Sequence, residues 1–443
     1  MTFDDLKQLL FVRGNVGVKL GLERMRAALA LLGDPHLCAP VLHVAGTNGK
    51  GSTCAFAAAA LQAAGLRVGL YTSPHLVHFC ERIRIDDAPI SEERAAALLG
   101  TIVRRVPWAL AGGPAGADDG DGLTFFELAT LMGFLAFAEA GVSAMVVEVG
   151  LGGRLDATNV VRPLACAIAP LGLEHQEYLG ETLAAIAAEK AGIIKAGAPV
   201  ASAEQPPEAA AVLEEAAARA GTALWRPGRD YNVGGVPGGP LRYQGPRWSL
   251  EAPLALAGAH QRGNAALACA LLEAAAGQGL AVGPVEAARG LSQARWPGRL
   301  QRVSERPLLL IDGAHNPHAA RALAASLPEL LEGRPLQLVF GTLADKDAEA
   351  MLRALLPLCS GVHVCPPASP RAAAPEVLAA LARALGPGTP VAAHQGAAAA
   401  LAAARAAAGP GGAVVCCGSL YLAGELLELV EGRSPVPMPA ERL

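Results

Sequence analysis

Short apolar runs alternate with long helical stretches along most of the chain. VLHV (Val41–Val44), LRVGLY (Leu66–Tyr71), AMVVEV (Ala144–Val149) and ACAIAP (Ala165–Pro170) read as buried strands. Helical stretches such as Ser52–Ala64 and Phe126–Ala140 connect them. This order predicts a parallel sheet covered on both faces. From Leu224 to Pro253 the texture turns to Gly, Pro and aromatic residues, which predicts a β-hairpin excursion, and an alanine-rich helix follows from about Gly263. SQARWPGRL (Ser292–Leu300) then breaks the pattern as a linker would. Beyond it LLLID, LQLVF, GVHVC, PVAAH and AVVCC repeat the strand–helix alternation. The expected division is an N-terminal domain over 1–294, a linker over 295–300 and a smaller C-terminal domain over 301–443.

Composition narrows the classes. The 443 residues leave room for two or three domains. Hydrophobic residues make up 52%, charged ones 17% and aromatics 4%, with much alanine, as in Ala397–Ala408, so a helix-rich core of small side chains is expected. A net charge of −4 supplies no polycation for nucleic acid. The nine cysteines are scattered without C-x-x-C pairs and read as buried thiols rather than a disulfide scaffold. MTFDDLKQLL carries acids where a secretory signal carries bases, and Leu128–Ala138, bounded by Glu127 and Glu139, is too short to span a bilayer. A soluble cytoplasmic protein without membrane or nucleic-acid partners is expected. Gly112–Gly122 reads as a loop whose acids fit no calcium spacing, and Ser434–Leu443 as a loosely held tail.

The stretch VLHVAGTNGKGST (Val41–Thr53) comes close to the phosphate-loop pattern G-x-x-x-x-G-K-[ST]. It departs twice: Val44 stands at the first glycine, and Gly51 separates Lys50 from Ser52. A glycine loop between strand and helix lets backbone N–H groups and the helix N-terminus meet phosphates. Lys50 would neutralise terminal phosphate oxygens, and the Ser52 hydroxyl could approach a magnesium ion. The bland alternative is a tight turn with a solvated lysine. Glu148 closes another strand and offers a hard oxygen to Mg²⁺, or serves merely as a cap. His175 is either a second metal ligand or a structural histidine. In EKAGIIK (Glu189–Lys195), Lys190 in an apolar setting would have a lowered pKa and be open to chemical modification, whereas Lys195 reads as a surface or cap residue. LLLIDGAHNPHAA (Leu308–Ala320) repeats the strand–turn–helix layout, placing Asp312 and His315 past the strand and Pro317 in the first helical turn. GTLADKD (Gly341–Asp347) and CGSLYLAGE (Cys417–Glu425) follow two other strands, giving a one-sided functional edge. The fold class expected is α/β: a P-loop-containing parallel-sheet ATPase domain plus a smaller Rossmann-like α/β C-terminal domain.

Taken in order, these segments resemble the folylpolyglutamate synthase/dihydrofolate synthase family of the Mur ligase superfamily. The resemblance runs nearly end to end, through LGLERM (Leu20–Met25), VAGTNGKGST (Val44–Thr53), TSPHLVHFCERIRI (Thr72–Ile85), TFFELAT (Thr124–Thr130), EVGLGGRLDATN (Glu148–Asn159), LEHQEYLGETLAAIAAEKAGIIK, GAHQRGNAALA, WPGRLQ, DGAHNPHA, DKD and GSLYLAGE. It implies an ATP-dependent ligase that joins glutamate to a pteroate or folate carboxylate through an acyl phosphate. By similarity, Gly46, Thr47, Asn48, Gly49, Lys50, Gly51 and Ser52 hold ATP phosphates, with Asn264, Arg299 and Asp312 as further ATP contacts. Ser73, Glu148 and His175 correspond to magnesium ligands, a task the resemblance gives to them rather than to Ser52. Lys190 matches a lysine that is carbamylated and helps bind a second Mg²⁺. Lys190, Asp312 and His315 form the catalytic set, His315 beside the triphosphate and glutamate. Pterin-binding positions map onto Lys19, Leu20, Gly21 and Leu22, onto Leu123, Thr124, Phe125 and Phe126, and onto Leu155, Asp156 and Ala157. There Phe126 would meet the pterin ring, and Asp156 its amino and ring N–H groups. The cofactors implied are ATP, two Mg²⁺ and a monovalent cation. The partners are dihydropteroate, tetrahydrofolate or its polyglutamates, and L-glutamate, acting on a monomer. Two positions depart from the family: Glu174 stands where Asp is common, and Lys19 where some bifunctional members carry an acid.

Two rival readings differ in testable features. A cell-wall Mur ligase carries a separate N-terminal substrate domain, whereas roughly 45 residues precede the loop here, short for a domain. A nucleotide-binding regulator would need neither a metal set nor the Asp312/His315 pair.

Overall fold

The structure, a computed structural model, describes residues 2–14, 17, 19–111, 122–236 and 238–433. The loop expected at 112–122 lies, apart from Gly122, outside the described residues, and so does the tail 434–443.

Eight strands build the first sheet: β1 (Val41–Ala45), β2 (Val68–Tyr71), β3 (Ile83–Ile85), β4 (Ala88–Pro89), β5 (Ala144–Glu148), β6 (Pro163–Ile168), β7 (Val200–Ser202) and β8 (Leu224–Trp225). Their order is β4-β3-β2-β5-β1-β6-β7-β8. β2, β5, β1, β6, β7 and β8 run parallel, and β1 sits between β5 and β6, with His43 opposite both Val147 and Cys166. The expected parallel sheet is therefore extended at one end by two short strands in antiparallel pairings, β3 on β2 and β4 on β3. Both are too short for periodicity to reveal, and β4 is exposed.

Side-chain alternation splits the sheet between two cores. Leu42, Val44, Val146 and Ala167 face the helices Lys50–Ala63, His260–Ala276 and Pro284–Gln293. Val41, Met145 and Val147 face the helices Phe3–Gly14, Glu23–Leu32, Glu92–Arg105 and Phe125–Ala140. Burial on both faces is why these strands read as unbroken apolar runs. The helix Phe125–Ala140 begins with a capping box: Thr124 Oγ1 accepts from the Glu127 N–H at 3.2 Å, while Glu127 accepts from the Thr124 N–H at 2.8 Å.

The predicted hairpin is a three-stranded antiparallel sheet, β9 (Asn232–Gly234), β10 (Leu241–Gln244) and β11 (Ser249–Ala252), with β10 central. Buried Glu273 anchors it to the helix His260–Ala276 by accepting from the Tyr243 hydroxyl and the Arg247 and Trp248 N–H groups. That helix starts three residues before the expected Gly263.

Residues after 300 form a six-stranded sheet: β12 (Gln301–Glu305), β13 (Leu308–Ile311), β14 (Leu336–Phe340), β15 (Cys359–Val364), β16 (Val391–Ala393) and β17 (Ala413–Cys417), in the order β12-β13-β17-β14-β15-β16. It is parallel except for β12. β12 was not foreseen because QRVSE lies at a sheet edge and lacks an apolar run. Each of the nine cysteines is a free thiol, and all but Cys38 and Cys359 are buried. Among the described residues no helix is long and apolar enough to cross a membrane.

Candidate active site

β1 lies where the crossover direction of the first sheet reverses, and such a switch point leaves a crevice at the carboxyl ends of the strands. The glycine loop fills it. Gly46 and Gly49 adopt positive φ, and a Cβ on Gly49 would run into the Asn264 side chain. Lys50 opens the following helix, and its Nζ lies 3.3 Å from the Thr47 carbonyl.

A cavity of roughly 270 Å³ opens over this loop. Thr47 through Ser52, Ser73, Glu148, Glu174, His175 and Asn264 line it from one side, and Arg299, Asp312, His315, Lys346, Ser419 and Tyr421 from the other. The three strand-end turns expected to form one functional edge thus meet the loop across a single cleft. Direct bonds close that cleft. Asn48 and Asn316 exchange side-chain amide contacts at 3.1 and 3.3 Å, and Asn48 Nδ2 meets His318 Nδ1 at 2.8 Å. Glu174 lies 3.3 Å from His315 Nε2 and accepts from Asn316 at 3.4 Å.

Of the residues expected at the phosphates and metals, Gly46 and Lys190 lie off the cavity lining. The Gly46 carbonyl accepts from Lys190 Nζ at 2.8 Å. Lys190 is therefore behind the loop rather than in the cleft. Ser52 is 2% exposed and accepts from Gln261 at 3.2 Å, which engages the hydroxyl once offered to magnesium. Of the two readings of Lys195, surface or cap, the structure gives the cap: half-buried, it donates to the carbonyls of Asn159 and Val161 at the end of the turn Ala157–Val160.

The electrostatics of the cleft are those of a site awaiting anions and cations together. Burial, with Lys50 nearby, pushes Lys190 down to about 7. Burial pushes Glu148 up to about 7 against the opposing effects of Lys50 and the Ser73 N–H, which donates to it at 3.3 Å. His175 is pushed down to about 4 by burial, aided by Lys346, Lys50 and Lys190, so at neutral pH its imidazole is uncharged and able to ligate. Burial would raise Glu174, yet the hydrogen bond and charge of His315 hold it well below the usual carboxylate range.

Ser73, Glu148 and His175 all face the cavity, giving a hydroxyl, a carboxylate and a neutral imidazole. Among the described residues no three His, Cys, Asp or Glu side chains gather into a complete metal cage. An incomplete protein set suits Mg²⁺, which keeps waters and takes substrate phosphate oxygens. On the opposite side Asp312 is committed to structure: its two oxygens accept from the Leu300 and Ala314 N–H groups, each at 2.8 Å. His315 Nδ1 bonds the Gly313 carbonyl at 2.8 Å.

Residues 298–420 match the Mur ligase glutamate ligase domain family. The dihydrofolate synthase/folylpolyglutamate synthase of Bacillus subtilis is 38% identical over 378 residues, covering 84% of this chain and 86% of that protein. The chain belongs to the folylpolyglutamate synthase/dihydrofolate synthase family. It is accordingly an ATP-dependent ligase. A probable bifunctional folylpolyglutamate synthase/dihydropteroate synthase of Halobacterium salinarum is 38% identical over 88% of this chain, but the match spans only 47% of that longer protein. The structure superposes with a TM-score of 0.81 on the Yersinia pestis folylpolyglutamate synthase/dihydrofolate synthase complexed with AMPPNP and Mn, at 32% identity and 94% coverage of each chain.

The positions that the family assigns to pterin do not line the phosphate cavity. Leu123, Phe125, Phe126 and Ala157 lie instead in or against the core beneath the helix Phe125–Ala140. Arg24 gathers the neighbouring segments by pairing with Glu127 at 3.1 Å and donating to the Lys19 carbonyl at 3.3 Å. Leu20 is exposed, Leu22 and Thr124 are buried, and Lys19, Gly21 and Leu155 are half-buried. The Asp156 carboxylate accepts from the Leu151 and Thr158 N–H groups and from the Thr158 hydroxyl. Two contacts connect this region to the cleft. Phe126 packs against Gly150, a cavity-lining residue, and the Arg82 guanidinium lies 5.0 Å from the centre of the Phe125 ring. Arg82 Nε also donates to His75 Nδ1 at 2.8 Å, and both residues line the cavity. Reading the sequence drew only Ser73 from this segment; an arginine and a histidine spaced seven apart gave no local sign of meeting.

Proposed function

We propose that this chain joins L-glutamate to the carboxylate of dihydropteroate and of tetrahydrofolate or its polyglutamates, as a folylpolyglutamate synthase that is also a dihydrofolate synthase. The observation that carries this reading is the single cleft in which the glycine loop and Ser73/Glu148/His175 face Arg299, Asp312 and His315.

A carboxylate resists attack by an amine, so its oxygen first displaces ADP from the γ-phosphorus of ATP to give an acyl phosphate. The glutamate amino group then adds to the acyl carbon, and the tetrahedral intermediate collapses by releasing phosphate and a proton. Lys50 and the loop N–H groups offset the charge gathered on the phosphoryl oxygens, and Arg299 and Asn264 hold the nucleotide. His315, its Nδ1 bonded to the Gly313 carbonyl and its Nε2 to the Glu174 carboxylate, is held beside the triphosphate and the incoming glutamate. Asp312 acts by holding the linker at Leu300 in the position that presents Arg299.

Ser73, Glu148 and His175 are the residues that would hold Mg²⁺, with carbamylated Lys190 contributing to a second ion and a monovalent cation nearby. Bound there, the metal supplies charge neutralisation for the phosphates. Lys190 suits carbamylation because burial favours its neutral amine, the form that adds CO₂. A carbamate retains one N–H, which can still donate to the Gly46 carbonyl. Phe126 and Asp156 bind the pterin, in a monomeric cytoplasmic enzyme divided at 1–294, 295–300 and 301–443. The separate sheets on either side of the Trp296–Leu300 stretch support that division.

The test incubates the protein with MgATP and labelled glutamate, separately with dihydropteroate and with tetrahydrofolate. Amide products of the expected mass in both tubes support two activities, product in one tube reduces the assignment to one, and incorporation in neither overturns it.

A further inference from the structure

The phosphate loop departs from the common pattern at Gly51, and the fold places a specific neighbour there. A Cβ built on Gly51 would lie 2.8 Å from Trp296 Cζ2, 2.9 Å from Nε1 and 3.0 Å from Cε2. Side chains other than hydrogen do not tolerate such distances, so the serine or threonine that usually follows the lysine is excluded by the indole. Trp296 belongs to the stretch joining the two large sheets, not to the loop's own neighbourhood in sequence.

The indole faces a cation, and the backbone leading to it is fixed by the helix before it. Arg84, at the edge of the first sheet, lies 5.7 Å from its ring centre and is itself fixed by the Asp87 carbonyl at 3.2 Å. The helix Pro284–Gln293 just before Trp296 packs so closely on the phosphate-loop helix that a Cβ on Gly290 would run into the Ala60 backbone. Three residues after Trp296, Arg299 lines the cavity, and the next residue, Leu300, donates to Asp312.

We infer that Trp296 is a positioning residue that sets the phosphate loop and Arg299 in register with each other. Gly51 is the empty place in the loop that receives it. Closure of the second lobe and the conformation of the loop are coupled through this contact, because the same rigid ring touches the loop and begins the segment that carries Arg299. The inference does not depend on which pterin is the substrate.

The test is a size swap. Gly51→Ala, Trp296→Phe and the double variant are compared by KM for MgATP, kcat and thermal unfolding. Phenylalanine keeps a ring beside Arg84 but lacks the indole edge that meets Gly51. Gly51→Ala alone is expected to raise KM for MgATP about tenfold, the scale on which one overpacked methyl acts. In the Trp296→Phe background the same methyl should cost less than about threefold. An equal penalty in both backgrounds, as a methyl meeting the phosphates themselves would give, overturns the inference. A second measurement needs no active variant: the wild type labelled with 5-fluorotryptophan has four tryptophans, and the ¹⁹F line lost in Trp296→Phe should shift when MgADP is added. A Trp296 line indifferent to nucleotide also overturns it.

Discussion

Two strand–turn–helix ends face each other across the cleft and use their charged residues in opposite ways. At the end of β5, and on the helix Leu183–Ala191 behind the β1 loop, charges are unfavourably placed: Glu148 and Lys190 are both pushed to about 7, mainly by burial. After β13 the Asp312 carboxylate is saturated by two backbone N–H groups. The first end is arranged for what it binds, and the second is arranged to hold itself and the linker in place. A functional carboxylate that is poorly satisfied costs the empty protein stability, whereas one that is fully bonded contributes to it.

The largest effect expected from this contrast is at Lys50. Lys50→Ala should lower kcat/KM for MgATP by about 10³-fold, on the scale seen when a charge-stabilising donor is lost, with the unfolding midpoint held. A loss under about tenfold would remove the loop from the centre of the reaction. Next comes Lys190→Ala, with an expected loss of about 10²-fold and partial rescue by a short carboxylic acid. Wild-type activation by bicarbonate should rise as pH increases through about 7, because only the neutral amine adds CO₂. Full activity in Lys190→Ala, or activation that falls with pH, would exclude the carbamate.

A stability comparison breaks the contrast most directly. Glu148 is raised from 4.5 to about 7, so the native state holds a proton that the unfolded chain has released across that window. Its effect is absent below about 4.5 and grows unfavourable as pH rises through 7. Glu148→Gln should therefore stabilise the metal-free protein at pH 8 by about 1–3 kcal/mol, and change little at pH 4, while abolishing activity. Asp312→Asn should instead destabilise by about 1–2 kcal/mol and lower kcat about tenfold, since one of its two acceptors becomes a donor. Urea titrations in chelator, at the two pH values, read both; shifts of the same sign for the two variants would end the distinction. The smallest effect is expected at the bridge between lobes. Asn316→Ala removes its bonds to Asn48 and Glu174 and should raise KM for MgATP a few-fold, about 0.5–1 kcal/mol, while the loss of its cap on the Ala319 N–H lowers stability by about 1 kcal/mol.

The strands VLHV, AMVVEV and LLLID were legible because residues buried on both faces must be apolar whatever their partners are. The strands β3, β4 and β12 were not, since strands of two to five residues at or next to a sheet edge are too short or too exposed to need an apolar pattern. The glycine loop, Pro317 at the first turn of its helix and the three strand-end turns were visible for local backbone reasons. Lys195 could be narrowed only to a surface or a cap residue, because a lysine that bonds two carbonyls looks in sequence like one that bonds water.

The sequence by itself determined the alternation of elements, the loop that departs at Val44 and Gly51, and the order of motifs that places the chain in its family. These are properties of local backbone demand and of side-chain period. Only the tertiary structure decided that Lys190 sits behind the loop on the Gly46 carbonyl, that Glu174 crosses to His315, and that Trp296 fills the space Gly51 leaves. Each joins residues separated by more than a hundred positions, and such pairs leave no period to read: their meeting depends on strand order within the first sheet for Lys190 and on the packing of the chain beyond it for the other two.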